Sequence, residues 1–451
     1  MKQIPQHYLF SNIDLRKLIV PLIIEQFLSI AVGMIDSIMI ASVGEAAVSA
    51  ISLVDTVNVL IINLFTALAT GGAVVAGQYI GMKQKENSCK AANQTLIFTT
   101  IIAIIVMGVI YVLKNFILHT VFGQIEDDVA GYANTYLLIV SASIPFIGIY
   151  NAGAALFRAM GNSKVSMNTS LIMNAVNIVG NAILIYGFKM EIAGAAIPTL
   201  ISRIVAAVII TVRISNQNLT IHIDKPFKIY FDFRMIKKIL RIGVPNSLEN
   251  SMFQLGKILV LTIVTAFGTM AITANAVSNT IAMFQILPGM AICQAILTVS
   301  SQCVGANDYE QVHFYTKRLL RTLYMFEIVV NIVVVLALPL ILKAYNLSEQ
   351  TTELTKQIIW YHAICTCTIW PFSFALPNVL RAANDVVVTM IVAVVSMWLF
   401  RVLASIVLAN WLNMGVLGVW VAMTIDWLVR GIIFTVRYKG HIYKKAVSKI
   451  E

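Results

Sequence analysis

Asp36, Asn177, Asn181 and Thr199 carry oxygen-bearing side chains inside long apolar runs. An ionisable group in hydrocarbon costs a few kcal/mol on insertion scales, so its presence there points to a role beyond packing. The depths agree. Asp36 lies about five residues from one end of its run, and Asn181 and Thr199 about six from the same side's end of theirs, which at about 1.5 Å per residue puts all three roughly 8–10 Å deep. Ser170, Asn174, Asn177 and Asn181 recur at i, i+4, i+7 and i+11, one polar stripe on a helix. A carboxylate ringed by amide and hydroxyl oxygens can hold a proton or a hard, oxygen-seeking cation such as Na⁺. Asp36 and the amide and hydroxyl oxygens at its depth can therefore meet, and make a candidate site for a proton or Na⁺. The plainer reading of Asp36 is a hydrogen bond that ties two helices together.

Asp55, with Asn58 on its face at i+3, reads as a second coupling site, a counter-charge or a packing hydrogen bond. Lys257 lies mid-helix, too deep to snorkel easily, and needs an anionic partner, neutrality or water. Its candidate partners are Asp55 and Glu249. Glu25 and Glu249 each stand four residues after a proline, where capping a Pro-loosened turn competes with Glu249 as a second coupling site. Asn174 and Met173 join Asp55, Glu249 and Lys257 as candidate linings of a substrate cavity, with Met34, Phe253 and Met283 as further apolar candidates. Asp426 and Arg430, at i, i+4, read with Arg401 as a packing network. Glu327, within reach of Arg318 or Arg321, is assigned no role. Cys365 and Cys367 point two ways from a helix and make a poor metal site. The six histidines form no HExxH, and there is no Walker A, GxGxxG or GxSxG sequence. No cofactor is expected beyond a coupling ion, and ATP-driven work by this chain alone is not expected.

The elements that must position these groups are long and apolar. Of 451 residues, 59% are apolar and 12% charged, where a soluble chain carries about 25% charged residues. Mean hydropathy is +0.84. A water-soluble enzyme, a disordered chain, a coiled coil and a disulfide scaffold are excluded, the last by five scattered cysteines. Twelve runs, 16–41, 47–80, 92–114, 130–155, 165–187, 193–214, 240–266, 271–302, 318–343, 353–380, 386–410 and 415–437, are each long enough to cross roughly 30 Å of hydrocarbon. With the N-terminus inside the cell, 24 of the 32 Lys and Arg fall in inside segments and four in outside loops. That asymmetry places both termini in the cytoplasm and accounts for the net charge of +11 without nucleic acid. The first fifteen residues are polar and the first apolar run is long enough to span, so no cleaved leader is expected.

Residues 20–81 align with 244–305 at a constant offset of 224, with twelve identities in 62 positions, including Pro21/Pro245, Glu25/Glu249, Gly44/Gly268 and Gln78/Gln302. "LFRAMGN" around Arg158 matches "VLRAAND" around Arg381. "GAAIPTLISRIVAAVIITVR" matches "GVWVAMTIDWLVRGIIFTVR". Six helices per repeat is an even number, so both halves enter from the same side. The expected fold is an all-α polytopic membrane protein of twelve transmembrane helices, arranged as two six-helix lobes about a pseudo-twofold along the membrane normal. The expected domains are an N-lobe, 1–213, a cytoplasmic linker, 214–239, and a C-lobe, 240–451. Such repeats place a cavity near mid-membrane between the halves and suit alternating access. The acids are N-lobe property: Asp36 aligns with Val260, Asp55 with Asn279, and Gly33 with Lys257.

The order and duplication of "VGMIDSIMIASVGEAAVSA", "FRAMGNSK", "NIVGNAILIYG", "GAAIPT" and "GVPNSLENSMFQLGK" resemble the multidrug and toxic compound extrusion (MATE) transporters over essentially the whole chain. The resemblance implies a monomeric two-lobed antiporter that exports organic cations or amphiphilic drugs against inward H⁺ or Na⁺. It carries the family's N-lobe ion site onto Asp36, Asn177, Asn181 and Thr199, which it makes the expected ion-coupling set and the possible Na⁺ site. Asn181 departs from the pattern, which has an acid there, and the helix-10 acid of NorM-type members has no counterpart here. The implied partners are small drugs and membrane lipid, with no nucleic acid, in the bacterial inner membrane. Two other readings compete. A lipid-linked oligosaccharide flippase of the same superfamily needs several basic cavity residues, and only Lys257 qualifies by sequence. An intramembrane enzyme needs paired catalytic residues, and no motif supplies them.

Overall fold

The computed structural model describes residues 8–122, 126–223 and 230–443. The basic residues Lys2, Lys225, Lys228, Lys444, Lys445 and Lys449, and residues 224–229 of the expected linker, lie outside them. Among the described residues the regular structure is helical throughout. Nine helices are long and apolar enough to span a membrane: α1 (Asn12–Ala41), α2 (Glu45–Gly81), α3 (Lys85–Thr120), α5 (Ser163–Gly187), α6 (Ala193–Ile214), α8 (Gly268–Gly305), α9 (Tyr309–Tyr345), α11 (Val386–Trp411) and α12 (Gly415–Tyr443). Two further spans are bent pairs. α4 is Asp127–Ala142 with Ile144–Ala159, bent by 46°, and α10 is Glu349–Thr368 with Trp370–Ala382, bent by 62°. The twelfth, α7 (Phe233–Thr265), is long enough. Glu249, Lys257 and several amides interrupt its apolar run.

Two compact units divide the chain: Arg16–Ser247, and the described residues up to Leu15 together with those from Leu248 onward. The first packs α2 against α3 and α4, and α4 against α6, with Phe65, Leu137, Val54 and Ala196 buried in one cluster. In the second, Val264, Ile358 and Trp420 form one core cluster and Ile281, Leu338 and Ile359 another. The N-terminal stretch belongs to the second unit, where the Phe10 N–H donates to Tyr315 Oη at 2.9 Å and Tyr315 donates to the Phe10 carbonyl at 2.7 Å.

The duplication reappears in the backbone. Left-handed residues at Lys83, Lys189 and Glu191 recur at Asn307, Asn413 and Gly415, each 224 positions on. A tight helix–helix turn needs φ > 0 at a fixed place, and each repeat meets that need at the same place. Pro21 inside α1 cannot donate to the Lys17 carbonyl. Ser163 supplies the missing donor, reaching Lys17 O at 3.2 Å and Leu18 O at 2.6 Å.

Candidate functional site

Three helices of the first unit bring the predicted ion-coupling residues together. α1 supplies Asp36, α5 supplies Asn177 and Asn181, and α6 supplies Thr199. The close approach of α5 and α6 depends on Gly180, where an added Cβ would lie 2.7 Å from Pro198 Cβ. Gly180 and Pro198 immediately precede Asn181 and Thr199, so this contact sets the register of the site.

Asn181 Nδ2 donates to Asp36 Oδ1 at 3.1 Å. The Asn177 amide is best satisfied with Nδ2 at 3.0 Å from both Asp36 oxygens and its carbonyl 3.1 Å from Thr199 Oγ1. Thr199 Oγ1 also lies 3.0 Å from the Ala195 carbonyl, so its single proton serves one of these two acceptors. Asn177 and Asn181 are buried, whereas Asp36 and Thr199 are half-buried. Asn181 Oδ1 is buried with no hydrogen-bond partner among the described residues. An orphaned acceptor beside a carboxylate is costly unless something visits it. Rotated amides would present Asn181 Oδ1 and Asn177 Oδ1, with Thr199 Oγ1 and the Asp36 carboxylate, as an all-oxygen donor set suited to a hard cation. A proton on Asp36 needs only one of those oxygens as acceptor.

Asp55 lies on α2, where Asn58 Nδ2 donates to it at 3.3 Å, as the i+3 spacing predicts. It is electrostatically coupled to Asp36 and to Arg203. Arg203, one turn beyond Thr199 on α6, donates to Ser143 Oγ at 2.7 Å, at the bend of α4. The sequence signal for this arginine is its place four residues after Thr199, on the same helix face. Of the other cavity candidates in this unit, Met173 packs on Ile147, Tyr150, Ala154 and Ala206 and serves the core. Asn174 is half-buried on the polar stripe.

Glu25 and Glu249 do not cap loosened turns. Each meets the arginine of its own repeat. Arg158 approaches Glu25 at 3.6 Å while Ser166 donates to the same carboxylate at 2.7 Å, and Arg381 meets Glu249 at 2.6 Å. Arg381 also receives Asn378 Oδ1 as an acceptor at 3.1 Å. Glu249 is thus the partner of Arg381 and not of Lys257. Lys257 has no ion pair among the described residues and lies 5.2 Å from the centre of the Phe253 ring. The expected packing network is present in part, with Asp426 held by Ser396 at 2.5 Å and by Arg430 at 3.2 Å. Glu327 does not reach Arg318 or Arg321. It is fully buried between Gly289 and Trp370, with neither carboxylate oxygen hydrogen-bonded among the described residues. Met34 and Met283 are exposed.

The comparisons with known proteins agree with this architecture. "Uncharacterized transporter YisQ" of Bacillus subtilis (strain 168) is 24% identical over 430 residues, covering 94% of this chain and 93% of the relative. "Probable multidrug resistance protein YoeA" of the same organism is 25% identical over 451 residues, covering 96% and 94%. A solved structure described as "Crystal structure of MATE in the bent conformation" superposes with a TM-score of 0.88 at 19% identity, covering 97% of each chain, and shares the twelve-helix, two-lobe fold. The sequence profile of the MatE family matches twice, at residues 21–183 and 245–407, a spacing of 224 that is also the spacing of the internal repeat. Matched across both halves, the chain belongs to the MatE family.

Proposed function

We propose that this chain is a secondary active exporter of amphiphilic drugs, coupled to inward H⁺ or Na⁺ and working by alternating access of two repeat-related lobes, residues 1–213 and 240–451. The observation that carries the reading is the convergence of Asn177, Asn181 and Thr199 on Asp36, the one carboxylate in that cluster. Similarity to relatives such as the probable multidrug resistance protein YoeA supports drug export. The chain works as a monomer in the bacterial inner membrane with both termini in the cytoplasm, and needs no cofactor besides its coupling ion.

In this reading Asp36 exchanges its hydrogen-bond partners between two states. Without an ion the two amides donate to the carboxylate. With a proton or Na⁺ the carboxylate is neutralised, the amides turn, and α1 loses the contacts that hold it to α5. Ion and drug then drive transport because each prefers a different state of the lobes. Ethidium efflux from inverted vesicles under separately imposed pH and Na⁺ gradients tests this. Export driven by either gradient supports the reading, and export that ignores both refutes it.

A further inference from the structure

The second unit holds a group of opposite polarity. Lys257 on α7, Arg401 on α11 and Arg430 on α12 surround one aromatic ring, with their charged groups 5.2, 5.1 and 6.0 Å from the centre of Phe253. The carboxylate in this group is Asp426, and Arg430 takes it. The other titratable neighbour is His362, buried beside Arg401 and engaged with Gln285 Oε1 at 2.6 Å. Glu249 is held by Arg381. Asp426 also lies within electrostatic range of Arg401, so among the described residues three cations share one carboxylate and Lys257 makes no ion pair.

Arg401 is only 8% exposed, and its Nε is buried without a hydrogen bond. Removing a guanidinium from water costs several kcal/mol unless an anion offsets it, and one cation–π contact returns about 1–2 kcal/mol. Lys257, by contrast, is accessible. It shares a helix face with Phe253, Val260 and Val264, of which Val264 is buried in the unit's core. That face runs from the core at Val264 to the accessible Lys257. The register is fixed next door, where Gly256 abuts Met397 so closely that a Cβ would overlap that side chain. Lys257 follows Gly256, and Arg401 stands one turn beyond Met397. In the repeat alignment Lys257 matches Gly33, one turn from Asp36, and Arg401 lies on the helix that corresponds to the one carrying Asn177 and Asn181. The helices that carry an acid and amides in one repeat carry two bases in the other.

The geometry points to an oxyanion site at Lys257 and Arg401, with Phe253 stacking on the apolar body, for an amphiphile bearing a carboxylate or phosphate that binds this unit alongside the exported drug. This deepens the export reading by naming a ligand class, but equilibrium binding without any ion gradient tests it separately. In purified full-length protein, 2-naphthoate, neutral 2-naphthamide and cationic 2-naphthylmethylammonium are compared by competition and by thermal shift. In parallel, nanodiscs of phosphatidylcholine alone are compared with nanodiscs containing phosphatidylglycerol. A soluble anion as ligand predicts that naphthoate binds at least about tenfold tighter than the other two. A lipid headgroup as ligand predicts stabilisation by phosphatidylglycerol instead. In either case Lys257→Gln, at an accessible position, removes the preference about tenfold and Lys257→Arg keeps it within about threefold. Equal binding of the three naphthalenes together with indifference to phosphatidylglycerol overturns the proposal. So does an unchanged preference in folded Lys257→Gln protein.

Discussion

Asn181 reaches across 145 positions of sequence to donate its amide to Asp36 at 3.1 Å. A hydrogen bond to an ionised group contributes about 1.5–3 kcal/mol, enough to bias one helix position over another by a factor that transport can use. The donor is a neutral amide, and this decides what the site does when it is altered.

Asn181→Asp replaces that donor with a second acceptor at the same place. Two carboxylates in contact repel unless a proton or cation lies between them. The pH and Na⁺ dependence of ethidium efflux is expected to shift clearly, while the apparent KM for the dye stays within about twofold. An unchanged ion profile removes Asn181 from the ion site.

Gly180→Ala puts a methyl group 2.7 Å from Pro198 Cβ. Over-packing of this kind costs about 1–3 kcal/mol, and here it also pushes Thr199 away from Asn177. A lowered unfolding midpoint together with weakened ion dependence is expected. Gly33 has nothing within 4 Å of its added Cβ, so Gly33→Ala should leave the midpoint in place. Equal midpoints for the two variants would show that the α5–α6 approach tolerates a side chain.

Glu249→Gln removes one partner of a pair whose side chains are each 13% exposed. Leaving Arg381 buried alone costs about 3–5 kcal/mol. Glu25→Gln should cost less, because Arg158 is 3.6 Å away and Ser166 still has an amide oxygen to meet. Thermal unfolding in detergent checks the order. Neither change should alter the ion profile of whatever protein survives, and a changed profile in Glu249→Gln would restore Glu249 as a coupling site.

Much of this was legible before the structure. Depth and stripe spacing brought Asp36, Asn177, Asn181 and Thr199 to one level, because a helix advances by a fixed rise and a membrane imposes a common frame. The 224-residue offset reappears in left-handed turns and in the doubled family match. Pairing between helices was harder to read. Both members of Glu25–Arg158 and Glu249–Arg381 were visible as repeated residues, but the nearby prolines suggested a local role and nothing in one chain's spacing says which helix faces which. The i, i+4 rule found Asp426–Arg430 and could not show that Lys257, Arg401 and Arg430 gather on Phe253 around that single carboxylate. Glu327 looked able to reach basic residues along its own helix, yet it points across to α8 and α10.

The central claim is that Asp36 couples an ion to export. Its most direct test is ethidium efflux by Asp36→Asn in inverted vesicles, under imposed pH and Na⁺ gradients, at matched expression and with an unfolding midpoint near that of the parent. Asparagine keeps the size and most hydrogen-bonding positions of the side chain and removes the charge. The account predicts that gradient-driven efflux falls to the level of empty vesicles. Full gradient-driven efflux by folded Asp36→Asn protein would contradict it.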